Sequence, residues 1–343
     1  MGGMTDTLAI DLRDVAKRYR GRVDALKGIN MQVRRGEIFG FLGPNGAGKS
    51  TLVKIMMTIV RPTRAEGTVL GRAIGHKPTL GRMGYLPENH RFPRYLTGRQ
   101  VIEFFGAMSK VNRVMRRKRA AELIDLVNMR DAADRKVGTY SKGMAQRIGL
   151  AQAMVNDPDL ILLDEPTDGV DPVGRREIRD VLMRLRDRGT TVFINSHLLS
   201  ELEMISDRVA ILVAGRVASQ GTIGDLTQSR QHYQIEVANH EAPSRALPEL
   251  LAATPLLLPP APVTPGQAAL PARSVARGSL ASGILLEIEG SVIRVGTTDA
   301  AAIQPLLDTL RGARFVVQRV QLIRPSLEDL FIETVGAKGE TSR

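Results

Sequence analysis
At 343 residues and an ordinary 43% hydrophobic content, the chain can bury a full core and is expected to hold one large domain and one small one. The absence of cysteine excludes disulfides, thiolate metal sites and cysteine nucleophiles, and the five histidines (His76, His90, His197, His232, His240) have no metal-ligand spacing. A net charge of +12 suits an anionic partner such as a nucleotide, a nucleic acid or the anionic inner face of a membrane, but aromatics at 4%, none interleaved with the basic run Arg113 to Arg119, weigh against stacking on single strands.

The N-terminus carries no apolar signal segment, so nothing points to secretion. Leu8, Ile10 and Leu12 alternate with polar residues as a half-exposed strand does, and Ala25 to Val33 is a second strand-like run. An apolar strand (Ile38, Phe39, Phe41, Leu42) then leads into Gly43-Pro44-Asn45-Gly46-Ala47-Gly48-Lys49-Ser50-Thr51 and a helix from Leu52 to Ile59. This segment fits G-x-x-x-x-G-K-[ST] in its required strand-loop-helix setting. The glycines let successive N–H groups point at one centre, and the helix start adds partial positive charge. Lys49 can reach the β- and γ-phosphates of a nucleoside triphosphate, and Ser50 can hold Mg²⁺.

Residues around Gly67 to Leu80 read as loops and short strands. Between about Phe92 and Asn128 the pattern becomes helical, with Val101, Phe104, Phe105 and Met108 on one face, and Ala120, Leu123, Ile124 and Val127 on another. The basic run Arg113 to Arg119 in that region reads first as a solvated helix face, with a binding patch as the other reading. A helix from Lys142 to Val155 follows, then Leu160-Ile161-Leu162-Leu163, apolar on every side, ending in Asp164-Glu165. Such a run suits a parallel strand covered on both faces. Its carboxyl end belongs beside the phosphate loop, where Asp164 would hold Mg²⁺ and Glu165 would polarise the attacking water. A helix from Gly174 to Arg186, a buried strand from Thr191 to Ile194, a helix from Leu198 to Ser206 and a strand from Val209 to Val213 complete an α/β pattern with a parallel sheet.

Near residue 225 the character changes. His232 to Val237 and Leu285 to Val295 are strand-like, and the Pro/Ala/Gly-rich stretch between them, about 242–282, reads as a flexible insertion. The most apolar run there, Ala246 to Val263, holds Glu249 and five prolines and falls short of the roughly 20 residues a bilayer needs, so any membrane spanning is left to another chain. A helix from Ala300 to Leu310, a strand from Phe315 to Ile323 and a last helix close a small α+β appendage. Ser326 and Asp329 fit a capping box at the start of that helix.

Tyr140-Ser141-Lys142-Gly143-Met144, which opens the helix before the Asp-Glu strand, makes a resemblance specific. Over roughly residues 7 to 225 the chain resembles the ATP-binding subunit of an ABC transporter. Ser141 and Gly143 match the family's Leu-Ser-Gly-Gly-Gln signature, while Lys142 and Met144 depart from it. The form Tyr-Ser-x-Gly-Met, and the closing Pro325-Ser326-Leu327-Glu328-Asp329-Leu330-Phe331, are similar to the multidrug-type exporter branch.

The resemblance implies a P-loop α/β fold of RecA-like parallel sheet, β-subdomain and helical insertion (about 92–150) over 7–225, and a C-terminal accessory domain over 226–343. It implies that Tyr19 stacks on adenine, that Ser141 and Gly143 meet the γ-phosphate, and that His197 senses hydrolysis. It further implies that Asp171 communicates across a dimer. Glu88 stands where most members carry a glutamine that touches Mg²⁺ or water. ATP and Mg²⁺ would be held between two copies of the chain, each ATP lying between one copy's phosphate loop and the other's signature. Integral membrane permease subunits would dock near Glu88 and the helical insertion, which makes the protein cytoplasmic and peripheral on the inner face of the membrane, with no direct nucleic-acid partner. Against this exporter reading stands a soluble, non-transport ABC ATPase acting on ribosomes or nucleic acid. A regulator that binds ATP without turnover is disfavoured by the joint presence of Lys49 and Glu165.

Overall fold
The structure is a computed structural model and describes residues 8–21, 23–228, 231–238, 257–258, 276–280 and 282–339. Contacts divide the chain into two compact units, Met1–Ile223 with Thr334–Arg343, and Gly224–Glu333.

The first unit is built on a six-stranded sheet. The strands are β3 (Ile38–Leu42), β6 (Met83–Leu86), β7 (Leu160–Asp164), β8 (Thr191–Asn195), β9 (Arg208–Val213) and β10 (Arg216–Gly221), in the order β10-β9-β3-β8-β7-β6. All are parallel except the edge strand β10, which pairs antiparallel with β9. Strands β3, β7 and β8 are buried at every position, as runs apolar on both faces require. A second, antiparallel sheet of β1 (Leu8–Tyr19), β2 (Val23–Arg34), β4 (Arg64–Val69) and β5 (Arg72–Ala73) has the order β2-β1-β4-β5. Its alternating side chains, among them Ile10, Leu12, Ile29 and Met31, share one core with Phe39, Phe41, Leu162 and Phe193 of the parallel sheet and with Leu52 and Val53 of helix α1 (Lys49–Met56). Phe39 and Phe193 stack at 5.9 Å across paired strands, which fixes β3 beside β8. The helix after the phosphate loop starts at Lys49 and stops three residues earlier than its apolar pattern suggested, because Thr58 turns into the left-handed region at φ 58°.

The helical insertion contains α2 (Gly98–Met108) and α3 (Arg113–Leu126), followed by α4 (Lys142–Ala153). Thr97 caps α2 in a full capping box with Gln100. The helical reading of Val101, Phe104, Phe105 and Met108 holds, but burial divides that face: Val101 is buried, whereas Phe104 and Met108 are 48% and 66% exposed. The inward stripe is instead Val101, Ile102 and Gly106. Gly106 sets the rotation, because a Cβ there would lie 2.9 Å from Val155 Cγ2 and 3.2 Å from Arg116 Cβ, so the helix turns its smallest residue to the closest approach. Ala120, Leu123, Ile124 and Val127 are buried together as their spacing predicts.

The second unit centres on an antiparallel sheet of β11 (His232–Ala238), β12 (Leu257–Leu258), β13 (Ala276–Leu280), β14 (Leu285–Glu289), β15 (Val292–Val295) and β16 (Val316–Ile323), ordered β12-β13-β14-β15-β11-β16. Leu285 to Val295 is thus a hairpin and not one strand, folded at Gly290, whose φ of 61° suits a tight turn. The helix Gln304–Gly312 buries Leu306, Leu307 and Leu310 in this unit's core. The Pro/Ala-rich stretch 242–282 lies for the most part outside the described residues. Ser326 and Asp329 do form a capping box, with Asp329 N donating to Ser326 Oγ (3.2 Å) and Ser326 N to Asp329 Oδ2 (2.8 Å).

Candidate functional site
The phosphate loop follows β3 and is clamped between β2 and β9. A Cβ on Gly43 would meet Leu212 O at 2.5 Å, and one on Gly48, whose φ is 111°, would meet Ala25 O at 2.4 Å. Both obstacles are backbone, so neither glycine can be replaced without moving a strand. Gly48 precedes α1 with no side chain to cap it, which leaves the helix start to an anion. Lys49 is buried, and its Nζ donates to Gly43 O (2.6 Å) and Pro44 O (3.4 Å). Burial lowers its pKa, opposed by the charges of Glu165, Asp164 and Glu88. Tyr19 ends β1 with its hydroxyl 3.5 Å from Thr51 Oγ1 and its ring 4.9 Å from the Lys17 ammonium, so it flanks the loop with part of its surface exposed.

Asp164 closes β7 and is paired in register with Asn195, the last residue of β8. Asn195 Nδ2 donates to Asp164 Oδ1. Burial raises the Asp164 pKa, against the pull of that hydrogen bond, while the nearby Glu88 and Glu165 charges add to the rise and Lys49 opposes it. Glu165 follows with φ 52°, a left-handed backbone that costs of order 1–3 kcal/mol in a residue with a Cβ. Hydrogen bonds hold it there. Its N–H donates to Asn195 O (2.8 Å), and its carbonyl accepts from Gln146 Nε2 (3.2 Å). Its carboxylate is buried, and Oε2 accepts from Ser196 Oγ (3.1 Å) and His197 N (3.3 Å), with His197 Nδ1 at 2.8 Å.

Sequence reasoning placed Asp164, Glu165 and His197 but missed Asn195, Ser196 and Gln146. The available signal was Asn195 itself, a polar end to a strand otherwise apolar on both faces. Its Oδ1 is buried without a hydrogen-bond partner among the described residues, so the local polar network still has acceptor capacity. Glu88 is exposed, yet its charge reaches Lys49, Asp164 and Tyr85. Burial first, then Asp164 and Glu88, push the Tyr85 hydroxyl up to about 12. The donor set Ser50, Asp164 and Glu88 is all oxygen, and among the described residues no three His, Cys, Asp or Glu side chains form a metal cage. That chemistry fits Mg²⁺, which keeps several waters and takes few protein ligands beside substrate phosphates.

Ser141 and Asp171 are placed differently. Ser141 Oγ accepts from Met144 N (3.2 Å) and caps α4, while Asp171 Oδ1 accepts from Gly174 N (2.8 Å) and caps helix α5 (Pro172–Asp187). Ser141 is exposed and Gly143 half-buried. The fold therefore gathers Lys49, Asp164, Glu165 and His197 into one cluster with Tyr19 at its flank, whereas the side chains of Ser141 and Asp171 spend their hydrogen bonds on their own helices.

A family model described as ABC transporter matches residues 26–168. An ABC transporter ATP-binding protein of Synechocystis, itself uncharacterised, is 34% identical over 341 residues, covering 97% of this chain and 86% of that one. A daunorubicin resistance ATP-binding protein of Streptomyces coeruleorubidus is 32% identical over 336 residues, covering 97% of each chain. Among solved structures, the chain is similar to a dimeric ATP-binding cassette in a post-hydrolysis state bound to ADP and phosphate (TM-score 0.57, 26% identity, 62% of this chain and 98% of that one).

Proposed function
This chain belongs to the ATP-binding proteins of ABC transporters, and from that premise we propose that it powers an export-type transporter as an ATP-driven homodimer joined to separate membrane subunits. One observation carries the reading: Lys49, Asp164, Glu165 and His197 form one cluster, while a second helix start, at exposed Ser141 and half-buried Gly143, has its own lysine, Lys142, engaged with Asp168 and not with a phosphate cradle. A two-fold pair completes each cluster with the other copy's exposed helix start.

In this mechanism the N–H groups of Gly43 to Thr51 cradle the phosphates, and Lys49 exchanges its carbonyl partners for phosphate oxygens. Ser50, Asp164 and Glu88 would hold Mg²⁺, which supplies charge neutralisation across the β- and γ-phosphates. Glu165 takes a proton from the attacking water. Its Oε2 already accepts from Ser196 and His197, which leaves Oε1 to face that water. His197 contacts the γ-phosphate, Tyr19 stacks on adenine, and Asp171 lies at the seam between copies. ATP holds the dimer together and hydrolysis releases it, which shifts the membrane partner between two conformations.

The name of the daunorubicin-resistance relative supports export, and its coverage includes the appendage, read as an accessory domain over residues 226–343. No described helix is long and apolar enough to cross a membrane. Tyr95, Phe104 and Met108 of the helical insertion are 72%, 48% and 66% exposed, apolar surface suited to short helices of a permease on the cytoplasmic side. The test is gel filtration of Glu165→Gln with saturating ATP, then co-purification from membranes. An ATP-dependent dimer that carries an integral membrane protein is expected. A monomer would sink the sandwich. A dimer that carries RNA and has RNA-stimulated ATPase activity in the wild type would replace transport with the ribosome or nucleic-acid reading.

A further inference from the structure
Lys142 replaces a glycine in the signature, and its side chain has an unusual path. Its Nζ lies 2.6 Å from Asp168 Oδ2, in the loop that runs from Glu165 to α5. The stem crosses directly over Gly169. A Cβ built there would lie 2.4 Å from Lys142 Nζ, 2.6 Å from Cδ and 2.7 Å from Cε. Gly169 also has φ 64°, a conformation that favours glycine, and a Cβ there would displace the Lys142 arm from its path. Next to this crossing, a Cβ on Gly143 would sit 3.3 Å from Val170 Cγ1, so the helix start rests on the same loop. That loop is tied to the catalytic strand through Asp168 N donating to Glu165 O (3.2 Å), and to α5 through Arg175 Nε donating to Val170 O (2.8 Å).

We propose that Lys142 is a positioning residue that locks the signature to the loop carrying Glu165 and Asp171, so that the two ATP sites of the dimer act together. The inference rests on the homodimer reading. In that dimer the signature serves the other copy's ATP, whereas Glu165 serves its own. The Lys142–Asp168 arm spans these two duties within one chain. Both partners are largely exposed, 59% and 46%, so the pair contributes little in a lone protomer. A second copy laid over it removes solvent screening and strengthens it, which makes the lock tighten when the dimer forms.

The test measures ATPase rate against ATP concentration, with dimerisation assayed in parallel in the Glu165→Gln background. The Hill coefficient should approach about 2 in the wild type, the limit for two sites, and fall toward about 1 in Lys142→Met and Asp168→Asn. Lys142→Arg should retain cooperativity, and the exchange Lys142→Asp with Asp168→Lys should restore it. Gly169→Ala, which crowds the arm, should also lower cooperativity, and adding Lys142→Ala should not restore it, because the arm is then gone. A wild-type Hill coefficient of 1, or unchanged cooperativity in Lys142→Met, overturns the lock alone. A monomeric Glu165→Gln at saturating ATP overturns the homodimer reading and the lock with it.

Discussion

The phosphate loop and the signature each lead into a helix start, yet they are built in opposite ways. Around Gly43 to Lys49 every contact is internal. Backbone oxygens of Ala25 and Leu212 press on the glycines, and the Lys49 ammonium is buried on the carbonyls of its own loop. Around Ser141 to Gly143 the surface is open, Lys142 and Ser141 are exposed, and beyond their own helix Lys142 and Gly143 reach the Asp168–Val170 loop. One half is enclosed by its own chain, and the other is an open edge that, on the proposed homodimer reading, a second copy would complete. Changes in the first should disturb chemistry or folding, and changes in the second should disturb partnership while leaving the fold intact.

The largest effect is expected in the buried half. Glu165→Gln keeps the size and the backbone hydrogen bonds to Asn195 and Gln146 but removes the carboxylate proposed as the base. Turnover should fall by about 10²–10⁴ with ATP binding retained, measured as steady-state phosphate release beside nucleotide affinity. Normal hydrolysis would remove Glu165 from the role of base and blur the contrast between the halves.

The signature offers the next test, because its cap role and its phosphate role can be separated. Ser141→Asp keeps an N-cap as good as serine, so melting should move by the equivalent of only a few tenths of a kcal/mol. The added negative charge would face the other copy's γ-phosphate, and ATPase activity should drop on the order of 10²-fold, the scale for losing one aligned donor. Equal activity in Ser141→Asp and wild type would reduce Ser141 to a helix cap and make the open half merely a surface.

How much of this was legible beforehand follows the same division. The phosphate loop, the Asp164–Glu165 strand end and the buried strands around them were readable because local pattern and burial agree: an apolar run must be covered, and its polar end must face a ligand. Which side of α2 is buried was not legible, because periodicity gives a face but not its rotation, which Gly106 decides through its close approach to Val155 and Arg116. The Leu285 to Val295 hairpin was missed for a smaller reason, a single glycine with positive φ inside an otherwise continuous apolar alternation. Asn195 escaped because its meaning depends on register. Only the pairing of β7 with β8 sets its amide against Asp164.

Asn195 therefore carries a prediction of intermediate size. Asn195→Leu leaves the buried Asp164 carboxylate without its donor and should cost about 1–3 kcal/mol of stability, read as a lower midpoint in urea unfolding. Asn195→Ser, which keeps a hydroxyl but shortens the reach, should fall between the two. A Leu variant as stable as wild type would mean that Asp164 is already satisfied from elsewhere.

The smallest effect concerns a residue packed against the signature helix. His90 lies between the segment around Glu88 and the signature helix, with Nδ1 3.3 Å from Pro87 O and Nε2 3.3 Å from Ala145 O, and its ring 5.1 Å from Phe92. Two facing carbonyls favour the doubly protonated ring, but burial outweighs them, and the pKa is lowered from 6.5. The unfolded chain therefore takes up the proton first as pH falls. The contribution of His90 is fully present above about 6.5, declines as pH drops from there toward the folded-state value, and is flat below it. Unfolding midpoints of wild type and His90→Gln should accordingly converge between pH 8 and pH 5, because the variant has no such proton to take up. A difference that stays constant over this range would mean that burial does not prevail at His90. A difference that widens on acidification would mean that the carbonyls of Pro87 and Ala145 hold the charged ring, and that acid strengthens this seat on the signature helix.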